Sequence, residues 1–341
     1  MADQLGVAVI GTGIMAQVHA AAADAYHRAT VTGWFAHSPR NVAAARAVVD
    51  APAYERLDDL LADQQTDAVV VATPDHLHRD IAVAAAEAGK HLLIEKPLAT
   101  SAADAYAIRD AAAANGVTAM TLFNHRFVPA YWQAKQAIEQ RGLGPLQVGY
   151  ARKNDVRSVP LEMISWAAAT TPAWFLSPHD IDLLLWYAEE RVVSVFATVV
   201  GGTLRGLGVD TPDAIQAQLR FTGGGVATVE ACWSYPDSYP TMTDSFLELV
   251  LRDGVIHLDR KSEQLEIADA VGFSYPRNSL VNRVAGRPSG STAVAVEHFV
   301  DCVLDGAEPL IDLASSIHVT EILSAIHESG RTGLPVPIEE S

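Results

Sequence analysis

Near its N-terminus the chain carries an apolar strand, a glycine-rich turn and an alanine-rich helix (VAVIGTGIMAQVHA). The turn reads Gly-x-Gly-x-x-Ala. Gly11 permits the tight turn, Gly13 lets the backbone approach a ligand, and the small Ala16 permits close helix–strand packing. The backbone amides of Ile14 and Met15 then open a helix whose positive end attracts phosphate. The segment therefore predicts a site for a dinucleotide pyrophosphate.

Short apolar strands and alanine-rich helices alternate along residues 5 to about 122. The predicted strands are Leu5–Ile10, Val31–Ala36, Ala68–Ala72, His91–Ile94 and Thr118–Leu122, and the predicted helices are Met15–Tyr26, Arg40–Val49, Ile81–Ala88 and Ala102–Ala114. The strands are apolar throughout rather than at every second residue, which indicates burial on both faces. We therefore predict an α/β fold with an N-terminal Rossmann domain, a doubly wound parallel sheet.

The pattern changes after residue 123. A helix at 128–140 precedes longer strands, and residues 215–221 alternate apolar and polar side chains, as in a strand with one solvated face. Glycines at 223–225 and the pair Asp253-Gly254 are hairpin signals. The segment 259–292 is irregular, and two helices follow at about 293–304 and 313–328. We predict residues 1–123 as the dinucleotide-binding domain, and 124–341 as a substrate-binding and oligomerisation α/β domain with a large, mostly antiparallel open sheet.

Composition excludes several classes of function. The 341 residues carry 41 acidic and 24 basic side chains, a formal charge of −17 without a basic cluster, which disfavours nucleic acid. No apolar run reaches the roughly 18 residues that span a bilayer, and no signal peptide is evident. Cys232 and Cys302 have no metal-like spacing and are expected to be reduced. We expect a soluble, cytoplasmic protein without a metal site.

The end of the second predicted strand bears on the choice of dinucleotide. An NAD site usually carries an acid there, on the ribose 2′-hydroxyl, yet no acidic residue lies between Asp24 and Asp50. The chain has Ser38 and Arg40 instead, and a hydroxyl and a guanidinium suit a 2′-phosphate. We therefore predict NADP(H) in preference to NAD(H). The alternative is that Ser38 begins a helix and Arg40 is merely solvated.

Several ordered motifs resemble the Gfo/Idh/MocA family of NAD(P)-dependent sugar and cyclitol oxidoreductases. They span at least residues 5–187 and are the glycine turn with His19, Thr73-Pro74-Asp75-His76-Leu77-His78, Ala88-Gly89-Lys90-His91, Glu95-Lys96-Pro97, Asn124-His125-Arg126-Phe127 and His179-Asp180-Ile181-Asp182-Leu183-Leu184. The resemblance implies a sugar or polyol substrate and a homodimer or homotetramer formed through the C-terminal sheet. It also implies that Lys96 and His179 face the nicotinamide and the substrate carbon.

The resemblance extends the predicted cofactor site beyond the glycine turn. The added positions are Thr73, Pro74, His76, Glu95 and Lys96. His76 would lie against the nicotinamide ribose. The alternative is that Asp75 caps the next helix and His76 only opens it.

Hydride transfer at a secondary alcohol needs a base for the hydroxyl proton and a cation that stabilises the alkoxide. His179 can take the proton because imidazole titrates near neutral pH, and Lys96 can donate to the same oxygen. Asp182, three residues after His179 on a helix, would orient the imidazole or bind a substrate hydroxyl. Further substrate contacts are predicted after a strand at Leu146–Ala151, from Asn154, Arg157 and Trp166.

One position departs from the family pattern. The family commonly has Asp four residues before this histidine, where the chain has Phe175. Either His179 and Lys96 carry the proton transfer alone, or another acid such as Asp155 or Asp180 substitutes. Trp174 and Phe175 would line an apolar wall against the substrate, or belong to the core.

Two other functions are compatible with these motifs. One is a glycosidase that oxidises and re-reduces its sugar with a bound NAD. The other is a redox-inactive, dinucleotide-binding regulator, which the phenylalanine at 175 makes conceivable and the retention of Lys96 and His179 disfavours.

Overall fold

The computed structural model describes residues 4–36, 39–261 and 263–339. The chain forms two compact units, Met1–Phe127 with Ser279–Ile317, and Val128–Asn278 with His318–Ser341. Residues 279–317 therefore belong to the first unit, as their contacts show, although they come late in the chain. The sequence predicted a dinucleotide-binding part up to residue 123 and a substrate-binding part after it. This division by function stays a prediction.

Strands and helices alternate along the first 127 residues, as predicted. The strands are β1 (Leu5–Ile10), β2 (Ala29–Phe35), β3 (Ala53–Tyr54), β4 (Ala68–Val71), β5 (His91–Ile94) and β6 (Ala119–Thr121), and the helices are α1 (Ile14–Ala25), α2 (Pro39–Arg46), α3 (Leu57–Ala62), α4 (His78–Glu87) and α5 (Ala102–Asn115). Within the described residues the strands form one six-stranded sheet in the order β3-β2-β1-β4-β5-β6, with every neighbouring pair parallel. This order is the doubly wound Rossmann arrangement, which confirms the predicted fold.

The sheet of the first unit is buried on both faces because its strands are apolar throughout. Val69, Val71, Leu92 and Ile94 are fully buried against α4 and α5 on one face. The next residues along the strands, such as Val70 and Leu93, point to the other face and are equally buried. Burial of this apolar area stabilises the unit at roughly 25 cal/mol per Å².

The rest of the chain forms longer strands between helices. In chain order the elements are α6 (Pro129–Arg141), β7 (Leu146–Val156), α7 (Pro172–Ala188), β8 (Val192–Val200), α8 (Thr203–Gly206), β9 (Ala214–Phe221), β10 (Val226–Tyr235), β11 (Thr243–Leu251), β12 (Gly254–Asp259), β13 (Ile267–Ala268), β14 (Phe273–Ser274), β15 (Asn282–Val284), β16 (Arg287–Ser289), α9 (Ser291–Asp305), α10 (Leu313–Thr332) and β17 (Val336–Pro337). The segment predicted to be irregular contains two short hairpins, β13–β14 and β15–β16.

The second unit contains a sheet in the order β12-β11-β7-β10-β9-β8-β17. Strands β7 and β10 are parallel, and the other neighbours are antiparallel. The predicted turns lie between β9 and β10 and between β11 and β12, so the mostly antiparallel second sheet is confirmed.

The two faces of this second sheet differ. Helix α7 covers one face, where Leu184 packs close to Gly149 of β7. On the other face, side chains such as Val148 (48% exposed) and Phe196 (43% exposed) remain open to solvent. In the described part of the chain, no helix is long and apolar enough to cross a membrane.

Candidate active site

The glycine turn after β1 has the geometry that its sequence predicts. Gly11 adopts φ 115°, and a Cβ at this position would lie 2.2 Å from the carbonyl oxygen of Ala72. Gly13 begins α1, and a Cβ there would meet no described atom within 4 Å. Among the described residues no side chain caps the first amides of α1. Donors and room are therefore present where a dinucleotide pyrophosphate would bind, so these residues fit that group.

Three segments leave the parallel sheet side by side at its carboxyl edge. The strand register pairs Ile10 with Val71 and Val71 with Ile94. The glycine turn, the Thr73 segment and the Glu95–Lys96 segment therefore emerge at the same level. Open α/β sheets bind their ligands at this edge. The predicted cofactor residues Gly11, Gly13, Thr73, Pro74, Glu95 and Lys96 are thus brought together by the topology of the first unit.

Both carboxylate oxygens of Glu95 make contacts within the protein. The sequence predicted a contact with the cofactor and did not predict these internal contacts. Its Oε1 lies 2.7 Å from Nε2 of the fully buried His19, and its Oε2 accepts a hydrogen bond from the Lys96 amide at 3.0 Å. Burial alone would raise the pKa of Glu95, but the contacts with His19 and Lys96 outweigh it and lower that pKa. The ionised carboxylate therefore ties α1 to the backbone of the predicted catalytic lysine.

His78 occupies the first turn of α4 and is also buried. Its Nδ1 lies 2.8 Å from the Pro97 carbonyl oxygen, and its Nε2 lies 3.1 Å from the Thr73 carbonyl oxygen. Burial lowers the pKa of His78, which favours the neutral ring. Neither His19 nor His78 was predicted as a site residue. The available signal was a histidine inside an otherwise alanine-rich helix and another beside the Thr73 motif.

His76, in contrast, is largely open, with 46% of its side chain exposed. It lies in the helical turn Asp75–Leu77, and its amide donates to the Asp75 carboxylate at 2.8 Å. Asp75 thus binds the amide of the next residue within this turn, and it does not cap α4, whose N-cap is Leu77 without a side-chain capping bond. The exposed His76 ring also stays available to a ligand.

The residues predicted to select NADP cannot be placed. Ser38 lies outside the described residues, and so does the side chain of Arg40. The described end of β2 carries Trp34 and Phe35, which are both buried.

In the second unit, α7 carries His179 and Asp182. Thr171 caps this helix by accepting a hydrogen bond from the Trp174 amide at 3.2 Å, and Pro172 follows in the first turn. His179 is half-buried, whereas Asp182 is fully buried. Full burial favours a role in which Asp182 orients another side chain over one in which it binds substrate directly.

The acids considered as substitutes at the Phe175 position are engaged elsewhere. Asp180 pairs with the buried Lys153 of β7 at 3.0 Å. Burial lowers the pKa of Lys153 to about 8, against the opposing attraction of Asp180. Asp155 accepts a hydrogen bond from Thr243 at 2.5 Å. Both carboxylates are thus engaged in contacts within the second unit.

The aromatic residues before His179 pack within the second unit. The Phe175 ring lies 5.7 Å from the ring of Trp233 and 6.1 Å from that of Trp166, in an apolar cluster beneath α7. Trp174 stacks on His327 of α10 at 5.0 Å. These contacts favour the core alternative for Trp174. Phe175 and Trp166, both half-buried, form an aromatic surface one helical turn before His179.

The other predicted substrate residues are not all close to α7. Strand β7 extends to Val156, so Asn154 lies inside the strand. The predicted strand ended at Ala151 and placed Asn154 after it, which was wrong. Side chains alternate along a strand, so Asn154 points away from the face on which Lys153 meets α7. Asn154 there donates to Glu230 at 2.7 Å and to the Tyr235 hydroxyl at 3.1 Å. Arg157, directly after β7, is half-buried.

Among the described residues, no group of three or more His, Cys, Asp or Glu side chains is arranged to hold a metal ion. The parallel sheet, its glycine turn and the lysine at the carboxyl edge define a dinucleotide-dependent oxidoreductase. Residues 5–123 match the oxidoreductase family with an NAD-binding Rossmann fold, and residues 131–257 match the C-terminal domain of the same family. The chain belongs to the Gfo/Idh/MocA family. This confirms the family, fold and enzyme class expected from the sequence.

Characterised relatives of the chain use both dinucleotides. The chain is 27% identical to an NAD⁺-dependent scyllo-inositol 2-dehydrogenase of Bacillus subtilis, over 82% of this chain and 80% of that protein. It is also 27% identical to an NADP⁺-dependent D-xylose 1-dehydrogenase of Haloferax volcanii, over 96% and 97%. The crystal structure of GenD2 from gentamicin A biosynthesis, in complex with NAD, has the same fold (TM-score 0.86, 23% identity, 100% and 98% coverage).

Proposed function

We propose that the chain catalyses hydride transfer between nicotinamide C4 and a carbinol or carbonyl carbon of a sugar, cyclitol or keto-sugar. The observation that carries the proposal is the strand register that brings Lys96 to the carboxyl edge of the sheet beside the glycine turn. The activities of the relatives, on scyllo-inositol and D-xylose, support the substrate class. A bound nicotinamide dinucleotide supplies the hydride donor or acceptor.

The proton transfer is assigned to two side chains of this chain. The ammonium of Lys96 donates a hydrogen bond to the substrate oxygen and stabilises the negative charge that develops there. The half-buried imidazole of His179 takes the hydroxyl proton. Buried Asp182 orients that imidazole from the same helix. Arg157 and Trp166 are retained as substrate contacts, whereas the orientation of Asn154 disfavours such a role.

Substitution of Lys96 by Met tests this assignment, because it keeps the length of the side chain and removes its charge. The turnover number is expected to fall by about 10²-fold or more, as for loss of a group that stabilises an oxyanion, while the Kd for dinucleotide changes little. Lys96→Arg serves as the matched variant that keeps the charge. Wild-type turnover in Lys96→Met would show that Lys96 has another function.

NADP(H) is proposed as the preferred dinucleotide. The support is the absence of an acid between Asp24 and Asp50 together with Ser38 and Arg40 after β2. A guanidinium binds a phosphate through opposite charge and paired hydrogen bonds, whereas the neutral ribose hydroxyl of NAD offers it no charge. A cytoplasmic location is also proposed, because Cys232 and Cys302 are both free thiols.

A homodimer or homotetramer through the second sheet is the third proposal. Cross-strand pairing aligns Val226, Val148, Val250 and Val255 in one row on the face opposite α7. Val148 and Val255 are 48% and 57% exposed. An apolar row across neighbouring strands is a surface that a second copy of the sheet would cover.

A further inference from the structure

The backbone of the proposed catalytic lysine is held from two sides in the first unit. On one side, Glu95 accepts hydrogen bonds from His19 and from the Lys96 amide. On the other side, His78 contacts the carbonyl oxygen of Pro97. The contact with Glu95 connects this turn to α1, and the contact with His78 connects it to α4.

His78 also spans the two segments that continue beyond the sheet. The backbone hydrogen bonds between β4 and β5 continue up to the one that the Glu95 amide donates to the Val71 carbonyl oxygen, at 2.9 Å. Past this bond, the Thr73 segment and the Pro97 segment are bridged by the His78 ring, with one nitrogen facing each carbonyl oxygen.

The two contacts of the ring are not equivalent. Both partners are carbonyl oxygens, which only accept, and a neutral imidazole has one N–H. Burial keeps the ring neutral against the attraction of the nearby Asp75 and Glu95 carboxylates. A neutral ring therefore donates to one carbonyl oxygen only. We assign the N–H to Nδ1, because its contact with the Pro97 carbonyl oxygen is the shorter one, 2.8 Å against 3.1 Å from Nε2 to Thr73.

We propose that His78 is a positioning residue, which donates its Nδ1–H to the Pro97 carbonyl oxygen and thereby fixes the position of Lys96 at the carboxyl edge of the sheet. This inference rests on the proposed function of Lys96. It assigns to His78 an effect on the rate of turnover that is larger than its effect on the affinity for dinucleotide. A small displacement of a catalytic group is sufficient to lower the rate, because proton transfer requires hydrogen-bond geometry in the transition state.

Two amide variants separate the two ring nitrogens. In His78→Asn the side-chain amide nitrogen lies near the position of Nδ1 and keeps a donor for Pro97. In His78→Gln the amide nitrogen reaches the position of Nε2 and leaves Pro97 without this donor. We expect the turnover number of His78→Gln to fall on the order of 10- to 100-fold, with a smaller change in the Kd for NADP, and that of His78→Asn to remain close to wild type.

The measurements are the turnover number and KM with scyllo-inositol or D-xylose, whichever the wild type oxidises faster, the Kd for NADP, and the unfolding temperature of each variant. Rescue by Asn but not by Gln supports the inference. The inference would be overturned if both variants had equal turnover, either active or impaired. It would also be overturned if Gln alone restored turnover. Wild-type turnover in Lys96→Met would instead overturn the role proposed for Lys96, and a wild type without turnover on any substrate would overturn the proposed function itself, so these failures are distinguishable from failure of the His78 inference.

His91 provides a matched control, because it is a histidine on β5, the strand that leads to Lys96. It lies at the opposite end of β5 from Lys96, and its Nδ1 accepts a hydrogen bond from the Thr118 amide at 2.9 Å. The variant His91→Leu is expected to lower the unfolding temperature and leave turnover unchanged. If it lowered turnover as His78→Gln does, the effect would be a general loss of stability, and the positioning role of His78 would be wrong.

Discussion

Gly11 and Gly13 are both glycines of the turn, yet a side chain would have different effects at the two positions. At Gly11 a Cβ meets the Ala72 carbonyl oxygen at 2.2 Å, in a backbone with φ 115°. At Gly13 the backbone is ordinary, with φ −68°, and a Cβ meets no described atom. Gly11 is therefore required by the fold, and Gly13 is required only if a ligand approaches the turn.

This difference predicts that two alanine variants both weaken dinucleotide binding but differ in their effect on stability. Gly11→Ala is expected to lower the free energy of unfolding by about 1–3 kcal/mol, the cost of a strained backbone, and to weaken dinucleotide binding. Gly13→Ala is expected to leave stability unchanged and still weaken binding, because its methyl group occupies the space of the pyrophosphate. Chemical denaturation and titration with NADP measure both quantities. Wild-type affinity in Gly13→Ala would show that no pyrophosphate binds at this turn.

Which residues could be predicted from the sequence depends on whether their function is local. Gly11 was predictable because a φ of 115° and a close backbone contact permit only glycine, and Gly13 because the motif reserves its position for a ligand. His19 and His78 were not, because each acts through a contact with a residue at least 19 positions away in the chain. The same reason explains Asn154, whose partners Glu230 and Tyr235 lie on β10.

At the scale of elements, strands with continuous apolar residues were predictable almost to their ends. Strand β7 was not, because its second half, Arg152 to Asp155, consists of charged and polar side chains. These residues stay in the strand since each finds a partner on its own face, Lys153 with Asp180 and Arg152 with Asp244. Strand β3 was missed because it has two residues, too few to form a pattern.

Helix α10 is attached to β8 by a histidine whose protonation would break the contact. The Val192 amide donates to Nε2 of His318 at 3.0 Å, and the Nδ1 of the same ring lies 2.8 Å from Glu321. Burial lowers the pKa of His318 in the folded protein. In the unfolded chain the ring would titrate near 6.5.

The sign of the resulting pH dependence follows from linkage. Because the folded pKa is the lower one, the unfolded state binds the proton first as the pH falls. The stabilising contribution of His318 is thus complete above about pH 6.5 and is lost below it. We expect the free energy of unfolding to decrease between pH 7.5 and pH 5.5, and to decrease less in His318→Gln, which keeps an acceptor for Val192 without a titrating ring. Parallel pH profiles for the two proteins would contradict this account.

At the scale of the whole molecule, the valine row of the second sheet predicts self-association. Val148→Glu introduces a charge in the centre of this row, on an interior strand of the sheet. We expect the variant to sediment at a lower mass than the wild-type oligomer while its far-ultraviolet circular dichroism stays that of a folded protein; its unfolding temperature falls only as far as loss of association requires. Val271→Glu is the matched control, since Val271 is 96% exposed on the β13–β14 hairpin, away from the row. A monomeric wild type, or an unchanged mass for Val148→Glu, would exclude this surface as the interface.

The most direct test of the central claim is the absorbance of the reduced nicotinamide when purified protein is mixed with NADP or NAD and with scyllo-inositol or D-xylose. Our account predicts that absorbance rises with at least one of these polyols and sugars, that NADP supports the faster rate, and that Lys96→Met slows the rise by about 10²-fold or more. A protein that binds dinucleotide yet gives no signal with any of these polyols, or with the corresponding keto-sugars and reduced dinucleotide, would contradict it. That result would instead favour transient oxidation within a glycoside-cleaving cycle, or a regulator without redox turnover.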